Sequence, residues 1–477
     1  MATDIAGRGG TRPATSVGRM FAVLGAGEAL ARLVAFGATV FVARRLGASG
    51  YGILAVATAV VLYFNHFADW SVEIVGAREL AQGTHGVDEL APPLIAARLL
   101  IALACVVLLS VAGFFFLPQP DGAILAATSF TLLAVAGSTR FVFLGTERPG
   151  GVATVRIAGE ALALLLVILL VRDAGDLGNV PLARVAGDTV GVLVLALLLR
   201  SRGYALPVRS DPALVRPVLR RASPLVAHAI LGLIIFNSDL IFLRALRDAH
   251  TAGLYAVAYT LVSFLLNLGI TYGNSLLPVL SRLAADPPRQ RELYDSATAQ
   301  VLALGLPIAT GGCLLAMPLI VTVFGAGYAA AGPVLQILIW SVVASLVRTV
   351  VQMALIAHHE QGFVLRTSAW SAAANLVLNA LLIPRYGMPG AAFATLVTEV
   401  VRTVIALVYA GRLGMPFGVA RRLLKPLAAT AVMALALWKL PLPNVGIAIA
   451  LGILVYGVVL AMTGGITLVG GKPVLAV

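Results

Sequence analysis

Acidic and basic side chains lie one helical turn apart inside strongly apolar stretches of this sequence. In "GEALARLVAFGATVFVARR", Glu28 precedes Arg32 by four residues. The same arrangement recurs further along the chain in three more pairs: Arg156 with Glu160, Arg184 with Asp188, and Glu399 with Arg402. Because residues three or four apart share a helix face, each pair can neutralise itself. If they face a water-filled cavity, the same side chains could instead bind a charged ligand.

No acidic residue stands three or four positions from three further arginines in apolar stretches, which are Arg98, Arg140 and Arg348. Arginine keeps its charge in proteins, and a charge at the centre of a spanning helix costs about 2.5–3.5 kcal/mol on insertion scales. These arginines therefore need another partner, and a water-filled cavity or an anionic ligand would serve. Together with Arg32 and Arg156, they are the predicted lining of a cationic substrate cavity.

A second group of polar residues could bind a proton or a small cation. In "YFNHFADWSVEIVGAREL", His66, Asp69 and Glu73 fall at spacings of three and four, which places them on one face of a continuous helix. Histidine titrates near neutral pH, so the cluster could couple transport to protons. The alternative is a hydrogen-bonded structural cluster. Glu28 is a further polar candidate.

Two later apolar stretches also carry isolated polar residues. Asp239 lies in "IIFNSDLIFLRAL", and Asn375 and Asn379 lie in "AANLVLNALLIP". Asparagines one turn apart often join membrane helices through hydrogen bonds, so packing is their default role. Asp239 and Asn375 complete the polar and coupling candidates.

The composition explains what must position these residues. The chain has 477 residues, of which 60% are hydrophobic and 12% charged, whereas soluble domains run about 45–50% apolar and about 25% charged. The net charge of +13 fits basic cytoplasmic loops. No basic and aromatic soluble module suggests a nucleic-acid partner. Cys105 and Cys313 lie in apolar stretches without metal-type neighbours, so neither a metal nor a cofactor is expected.

The apolar stretches predict an all-α polytopic membrane protein with about fourteen transmembrane helices. The predicted spans lie near residues 17–43, 51–76, 91–117, 122–145, 152–172, 178–200, 220–245, 252–281, 293–323, 332–357, 362–384, 388–411, 421–440 and 442–464. The first is expected to remain uncleaved. Most Lys and Arg residues fall on one side if both termini are cytoplasmic.

The chain is predicted to consist of two pseudo-symmetric six-helix lobes. A basic, proline-containing linker, "RSRGYALPVRSDPALVRPVLRR", divides the spans, and "YGILAVATAVV" before it resembles "AGLYAVAYTLV" after it. The predicted domains are an N-terminal lobe (1–203), a cytoplasmic linker (204–219), a C-terminal lobe (220–413), and two additional helices with a tail (414–477). Transporters built from such repeats bind substrate near the membrane midplane between halves.

Four stretches resemble the polysaccharide and oligosaccharide flippases of the multidrug/oligosaccharidyl-lipid/polysaccharide exporter superfamily. They are "RRLGASGYGILAVATAVVLYFNHFADW", "NSLLPVLSRLA", "VFGAGYAAAGPVLQILIW" and "NLVLNALLIPRYGMPGAAFATLVTE". Their order and spacing cover nearly the whole chain. The family's second span often continues after "FAD" with a Leu-Gly pair, where this chain has Trp70 and Ser71.

The resemblance implies a transporter in the bacterial inner (cytoplasmic) membrane. Such proteins move undecaprenyl-pyrophosphate-linked oligosaccharide from the cytoplasmic to the outer leaflet by alternating access, for polysaccharide biosynthesis. The implied partners are this lipid-linked glycan, membrane lipid and polysaccharide assembly proteins. The family supplies no motif that fixes catalytic residues, so the candidate site rests on the charges alone.

Other functions remain open. A lipid II flippase of peptidoglycan synthesis shares the fold and the lipid carrier. A cation-coupled multidrug exporter of the same superfamily would need an acidic cavity, which the arginines disfavour. A membrane glycosyltransferase or polymerase is disfavoured because the predicted outer loops are short and no P-loop, HExxH or GxSxG stretch occurs in a fitting context. The chain is therefore not expected to be an enzyme.

Overall fold

The computed structural model describes residues 14–146, 150–204, 210–440, 444–469 and 472–475. Within these ranges the chain is helical almost throughout. The helices are α1 (Ala14–Asp69), α2 (Val72–Ala81), α3 (Val87–Phe116), α4 (Asp121–Ser129), α5 (Thr131–Gly137), α6 (Arg140–Gly145), α7 (Gly150–Leu170), α8 (Asn179–Arg200), α9 (Pro212–Leu246), α10 (Ala249–Arg282), α11 (Pro287–Leu314), α12 (Ala316–Phe324), α13 (Gly332–Ala357), α14 (Gln361–Tyr386), α15 (Met388–Arg412), α16 (Ala420–Lys439) and α17 (Val445–Met462). Two short strands, β1 (Ile466–Val469) and β2 (Lys472–Leu475), pair antiparallel near the C-terminus. This hairpin was not predicted from the sequence.

The helices confirm a polytopic α-helical membrane fold. Eleven stretches of the described residues are long and apolar enough to cross a membrane. The first, Gly27–Ala81, covers most of the first two predicted spans, and each of the others overlaps one predicted span. The two remaining predicted spans are helices α14 and α16, of 26 and 20 residues. Both carry polar or charged side chains that lower their hydropathy.

The long helix α1 changes direction at Gly47, between the first two predicted spans. Gly47 has φ 68° and ψ 176°. This positive φ is costly for residues with a Cβ but accessible to glycine. The break therefore follows from the glycine in "RRLGASG".

The predicted span 122–145 is three short helices rather than one. It is interrupted at Phe130 and again at Ser138 and Thr139, where Ser138 takes an extended conformation with ψ 128°. A break in a spanning helix frees backbone carbonyl groups that need other donors. At the second break those donors come from α3, as the site geometry shows.

The chain divides into two compact units. Unit 1 contains the described residues up to Arg45 together with Val60–Ala227, and unit 2 contains Leu46–Ala59 and the described residues from His228 onward. The predicted arrangement of lobes, linker and added helices remains a proposal. The N-terminal residues 1–13 and linker residues 205–209 lie outside the described residues.

Close contacts between small residues hold the helices of unit 1 together. A methyl group on Gly187 of α8 would lie 2.7 Å from the Gly159 carbonyl oxygen of α7. One on Gly145 of α6 would lie 2.7 Å from the Ala77 carbonyl oxygen of α2. Small residues allow such close helix packing in membranes. These contacts bring neighbouring charged side chains on paired helices within reach of each other.

In unit 2, helix α13 packs against α10, α11 and α15. Its inward face is largely aliphatic and includes Leu335, Leu338 and Val350, all fully buried. Residues 46–59 of α1 pack on α10 in the same unit, where the Tyr51 and Thr260 hydroxyl groups lie 3.2 Å apart. Polar side chains on α9, α13, α14 and α15 interrupt this aliphatic interior.

Candidate functional site

Arg98 joins three elements of unit 1. Its Nη2 donates to Asp69 Oδ1 at 2.8 Å, at the end of α1, and to the Val135 carbonyl oxygen at 2.6 Å. Its Nη1 donates to the Ser138 carbonyl oxygen at 2.9 Å. Both carbonyl groups belong to the break between α5 and α6. The guanidinium thus satisfies the broken helix and neutralises Asp69.

This geometry gives Arg98 a structural role in the conformation observed. Its side chain is only 2% exposed, and both Nη atoms are hydrogen-bonded, whereas its buried Nε has no described partner. Direct substrate contact by Arg98 would require this buried pair to open, which is costly because it would leave Asp69 uncompensated.

The helix is interrupted between Asp69 and Glu73, so the expected continuous helical face from His66 to Glu73 is wrong. Trp70 and Ser71 both have positive φ, 48° and 53°, so α1 ends at Asp69 and α2 begins at Val72. The Trp70 indole Nε1 donates to the Leu219 carbonyl oxygen at 3.0 Å. Glycine suits such a left-handed position, whereas serine is strained there.

Glu73 nevertheless stays within the same cluster of charges. Its Oε1 lies 3.3 Å from Arg140 Nε, although the geometry does not make a hydrogen bond. Glu73 also interacts electrostatically with Asp69, Arg98 and Arg156. His66 interacts electrostatically with Asp69. The break therefore redirects Glu73 toward α6 and α7 without separating it from Asp69.

Glu160 lies at the centre of a second group of charges on α7 and α8. Arg184 binds it through two hydrogen bonds of 2.6 and 3.1 Å, and Arg184 Nε also donates to Asp188 at 3.0 Å. Arg156 lies further away, with Nε 3.6 Å from Glu160 Oε1. Arg156 also interacts with Asp188 and with Glu73, so it connects the two groups.

We call these residues together the unit-1 charge network: Asp69, Glu73, Arg98, Arg140, Arg156, Glu160, Arg184 and Asp188. Acids and arginines are equal in number, so the network is formally neutral. Its members differ in how tightly they are held. Arg98 and Arg184 make short, multiple hydrogen bonds, whereas Arg140 and Arg156 have one loose ion pair each.

Arg32 resembles the loosely held members. It pairs with Glu28 at 3.3 Å, and the two side chains are 41% and 32% exposed. Arg140 and Arg156 are 29% and 42% exposed. These three arginines can therefore exchange their acidic partner for a ligand anion at the smallest cost. Interatomic distances are needed to distinguish these three arginines from the other predicted cavity residues, because spacing along the sequence does not separate them.

Unit 2 contains a separate group of charges around Glu399, which is fully buried. Arg348 Nε donates to Glu399 at 3.0 Å, and its Nη atoms donate to Gln352 and Ser345. Arg402 lies 3.4 Å from the same carboxylate. Arg348 is thus held by three acceptors and is 13% exposed.

Arg98, Arg140 and Arg348 lack an acid at helical spacing but do have acidic partners, whereas a water-filled cavity or an anionic ligand was expected. Asp69, Glu73 and Glu399 supply them from other helices, and helical spacing detects only partners on the same helix. The pairs at helical spacing are confirmed, with Glu28 on Arg32 and Asp188 on Arg184. More of the arginines in apolar stretches therefore have an acidic side chain as partner than helical spacing predicts.

Asp239 lies in a buried polar site of unit 2, with hydrogen-bond donors around its carboxylate. Tyr255 Oη donates to its carboxylate, as do Thr395 Oγ1 and Asn379 Nδ2, both at 2.5 Å. No described Lys, Arg or His lies within ion-pair distance of Asp239. An anionic carboxylate in this setting would be stabilised by a bound proton or small cation.

Asn375 and Asn379 connect this site to α9. Ser238 Oγ donates to Asn375 Oδ1 at 3.1 Å, and Asn379 Nδ2 lies 3.1 Å from the same oxygen. Asn375 Nδ2 and Asn379 Oδ1 are buried and have no described partner. Both asparagines therefore join helices, as expected, and each also has one buried polar atom that could accept or donate a further hydrogen bond.

Sequence reasoning missed Tyr255, Thr395 and Ser238 at this site. A hydroxyl group in an apolar helix is ordinarily satisfied by the carbonyl group three or four residues earlier, so nothing marks these residues in the sequence. Among the described residues, no group of three or more His, Cys, Asp or Glu side chains is placed to hold a metal ion.

Comparison with known sequences places these features in context. Residues 17–284 match a family described as polysaccharide biosynthesis protein. The probable low-salt glycan biosynthesis flippase Agl15 of Haloferax volcanii is 25% identical over 162 residues. That match covers 34% of this chain and 34% of the length of Agl15.

Two solved structures share the fold. The lipid II flippase MurJ in an inward closed conformation matches with a TM-score of 0.78 at 13% identity, covering 92% of this chain and 98% of that one. An inward-facing multidrug resistance MATE family transporter of the MOP superfamily matches with a TM-score of 0.59 at 14% identity, covering 81% of this chain and 94% of that one. At such identities the likeness is one of fold.

Proposed function

The chain belongs to the polysaccharide biosynthesis protein family, and on this premise we propose that it is a flippase for lipid-linked oligosaccharide. It moves undecaprenyl-pyrophosphate-linked glycan from the cytoplasmic to the outer leaflet of the bacterial inner membrane, by alternating access. Both termini are cytoplasmic in this proposal. The chain acts as a transporter and not as an enzyme.

One observation carries the proposal: three half-exposed, loosely paired arginines lie within membrane-spanning helices of unit 1. Arg32, Arg140 and Arg156 are 29–42% exposed. If they faced lipid as isolated charges, each would cost about 2.5–3.5 kcal/mol, which together approaches the total stability of many folds. An aqueous passage removes this cost. Guanidinium groups in such a passage match the geometry of phosphate oxygens.

A polar passage also answers the main physical problem of glycan transport. A sugar hydroxyl group buried in hydrocarbon without a hydrogen-bond partner costs several kcal/mol. The acids of the unit-1 charge network, with Glu28, offer acceptors for hydroxyl groups, and the arginines offer donors for the pyrophosphate. The prenyl chain can remain in lipid throughout. One neutral, mixed-charge surface therefore suits both parts of the head group.

Two sources of energy are compatible with this arrangement. A membrane potential that is negative inside favours outward movement of an anion by about 2.3 kcal/mol per charge per 100 mV if the whole potential is crossed. Coupling to a proton or small cation is the other source. Asp239, with three hydrogen-bond donors and no described basic side chain within ion-pair distance, is the best candidate for coupling, with His66 beside Asp69 as the second.

Lipid II is a second candidate substrate. It shares the undecaprenyl-pyrophosphate carrier, and the MurJ fold resembles this chain more closely than the MATE fold does, with TM-scores of 0.78 and 0.59. A cationic drug is disfavoured, because the half-exposed acids of unit 1 already pair with arginines.

Deletion of the gene, followed by analysis of lipid-linked sugars, tests the proposal. We expect an undecaprenyl-pyrophosphate-linked oligosaccharide to accumulate in the cytoplasmic leaflet while surface polysaccharide disappears. Accumulation of lipid II would select the second candidate. Unchanged lipid-linked sugars together with increased sensitivity to cationic drugs would overturn both.

A further inference from the structure

A basic surface cavity lies at the start of α9, and none of its lining residues belongs to the unit-1 charge network. It has a volume of about 720 Å³ and is lined by Pro212, Ala213, Arg216, Pro217, Arg220 and Arg221. These residues recur at spacings of one and four, so they form a single stripe along the helix. The stripe carries three arginines and no acidic residue.

Packing of the opposite helix face fixes the orientation of this stripe. Val215, Val218 and Ala222 are buried in a core cluster of unit 1 that also contains Val72 and Leu90. The helix therefore cannot rotate to turn its arginines elsewhere. A set of cations held on a rigid element binds an anion with little loss of conformational entropy.

The three arginines differ in their partners. Arg221 Nη1 donates to Glu79 at 2.5 Å, which anchors it to α2. Arg216 and Arg220 are exposed and make no ion pair or side-chain hydrogen bond with any described residue. They stand four residues apart on one face, where like charges repel each other. An anion between them would remove this repulsion.

The position of the stripe along α9 indicates which anion. Leu225, four residues after Arg221, is 40% exposed and begins the apolar part of the same spanning helix. At about 1.5 Å of rise per residue, Arg220 and Arg216 lie about 7.5 and 13.5 Å before Leu225 along the helix, at and just outside the depth of lipid head groups. Basic pockets at the cytoplasmic ends of membrane helices bind anionic head groups.

We propose that Arg216 and Arg220 bind the phosphate head group of an anionic phospholipid of the cytoplasmic leaflet. Guanidinium groups pair with phosphate oxygens through two parallel hydrogen bonds, and the acyl chains would lie beside the exposed Leu225. The proposal rests on the cytoplasmic orientation of α9 in the proposed function. It concerns a resident lipid and not the transported one.

Lipid binding to the purified full-length protein tests this. Phosphatidylglycerol and phosphatidylcholine are titrated separately, and bound lipid is counted by native mass spectrometry. We expect the wild type to prefer phosphatidylglycerol, and R216Q/R220Q to bind it about 30-fold more weakly, since each arginine near the surface contributes about fivefold. The matched control is R289Q/R291Q, which removes two exposed arginines at the start of α11 and should bind within twofold of the wild type.

Equal binding by R216Q/R220Q and the wild type would overturn the proposal, as would equal weakening in both double variants. Millimolar inorganic phosphate should not displace the lipid, and complete displacement would indicate a free-anion site instead. R216K/R220K keeps the charges and should retain most of the binding, which separates loss of charge from misfolding. The readout requires no transport, so its failure leaves the proposed function untouched.

Discussion

Gly52 and Gly253 approach each other so closely that neither position has room for a side chain. A methyl group on Gly52 would lie 2.8 Å from the Gly253 nitrogen and overlap the Ala249 carbonyl oxygen. One on Gly253 would lie 3.0 Å from the Gly52 nitrogen and overlap the Ala48 carbonyl oxygen. The glycines occupy equivalent places in the two similar stretches of sequence, each four residues after an alanine. The similarity therefore preserves a helix contact within unit 2.

Substitution of Gly52 by alanine should destabilise the protein by about 1–3 kcal/mol, because the added methyl group overpacks a contact between two backbones. Thermal unfolding in detergent measures the change. Gly37→Ala, on the same helix, is the matched control, since its methyl group would meet nothing within 4 Å. Equal stability of the two variants would show that the close contact is absent in the protein.

Ser71→Gly should raise the free energy of unfolding by roughly 0.5–1 kcal/mol. The left-handed conformation, which Ser71 adopts with φ 53°, costs a residue with a Cβ about 1–2 kcal/mol. Glycine removes this cost, but its more flexible unfolded state offsets part of the stabilisation. Ser71→Ala keeps the Cβ and should give no such gain. Identical thermal midpoints for the two variants would contradict the strained junction between α1 and α2.

Replacement of Arg98 by methionine should cost about 3–5 kcal/mol, because it leaves the Asp69 carboxylate, which is only 20% exposed, without its partner and removes the donors to Val135 and Ser138. The double variant D69N/R98M should recover part of the loss. By comparison, Arg156→Met should cost only about 0–1 kcal/mol, because Arg156 is 42% exposed and the buried Glu160 keeps its two hydrogen bonds from Arg184. Thermal unfolding of the four proteins decides whether Arg98 is structural, and no recovery in the double variant would contradict the pairing.

Asp239→Asn should abolish any acceleration of flipping by an imposed proton or sodium gradient while leaving the potential-driven rate within about twofold. Asparagine can still hydrogen-bond with Tyr255, Asn379 and Thr395, so the fold should persist. Flipping in proteoliposomes with each gradient applied separately provides the measurement. Asp248→Asn, at the N-terminal cap of α10, is the control. Gradient acceleration that survives in Asp239→Asn would remove this residue from coupling.

The fold was predictable because the length of each apolar stretch largely decides whether it forms a membrane-spanning helix. Within the described residues, each predicted span coincides with one or more helices, and even the turn between the first two coincides with Gly47. The break at Trp70 and Ser71 was not predictable from residue types, since neither is a glycine or proline. The three-part helix at 121–145 also lacks a proline, and its break depends on donors supplied by Arg98.

The candidate site was predictable only where partners share a helix. Glu28 with Arg32 and Arg184 with Asp188 follow directly from spacing. The partnership of Arg98 with Asp69 depends on which helices are neighbours, and that information is long-range. For this reason Arg98 and Arg140 could not be distinguished by spacing, although Arg98 is buried and Arg140 is half-exposed.

Flipping by R140Q/R156Q tests the central claim most directly. The protein is reconstituted in proteoliposomes with undecaprenyl-pyrophosphate-linked oligosaccharide, and the glycan reaching the far leaflet is measured with an impermeant glycosidase. We expect flipping at least tenfold slower than in the wild type, about 1.4 kcal/mol or more of lost stabilisation, with unchanged folding and a normal rate in R289Q/R291Q. A wild-type rate in R140Q/R156Q would contradict an aqueous, arginine-lined passage.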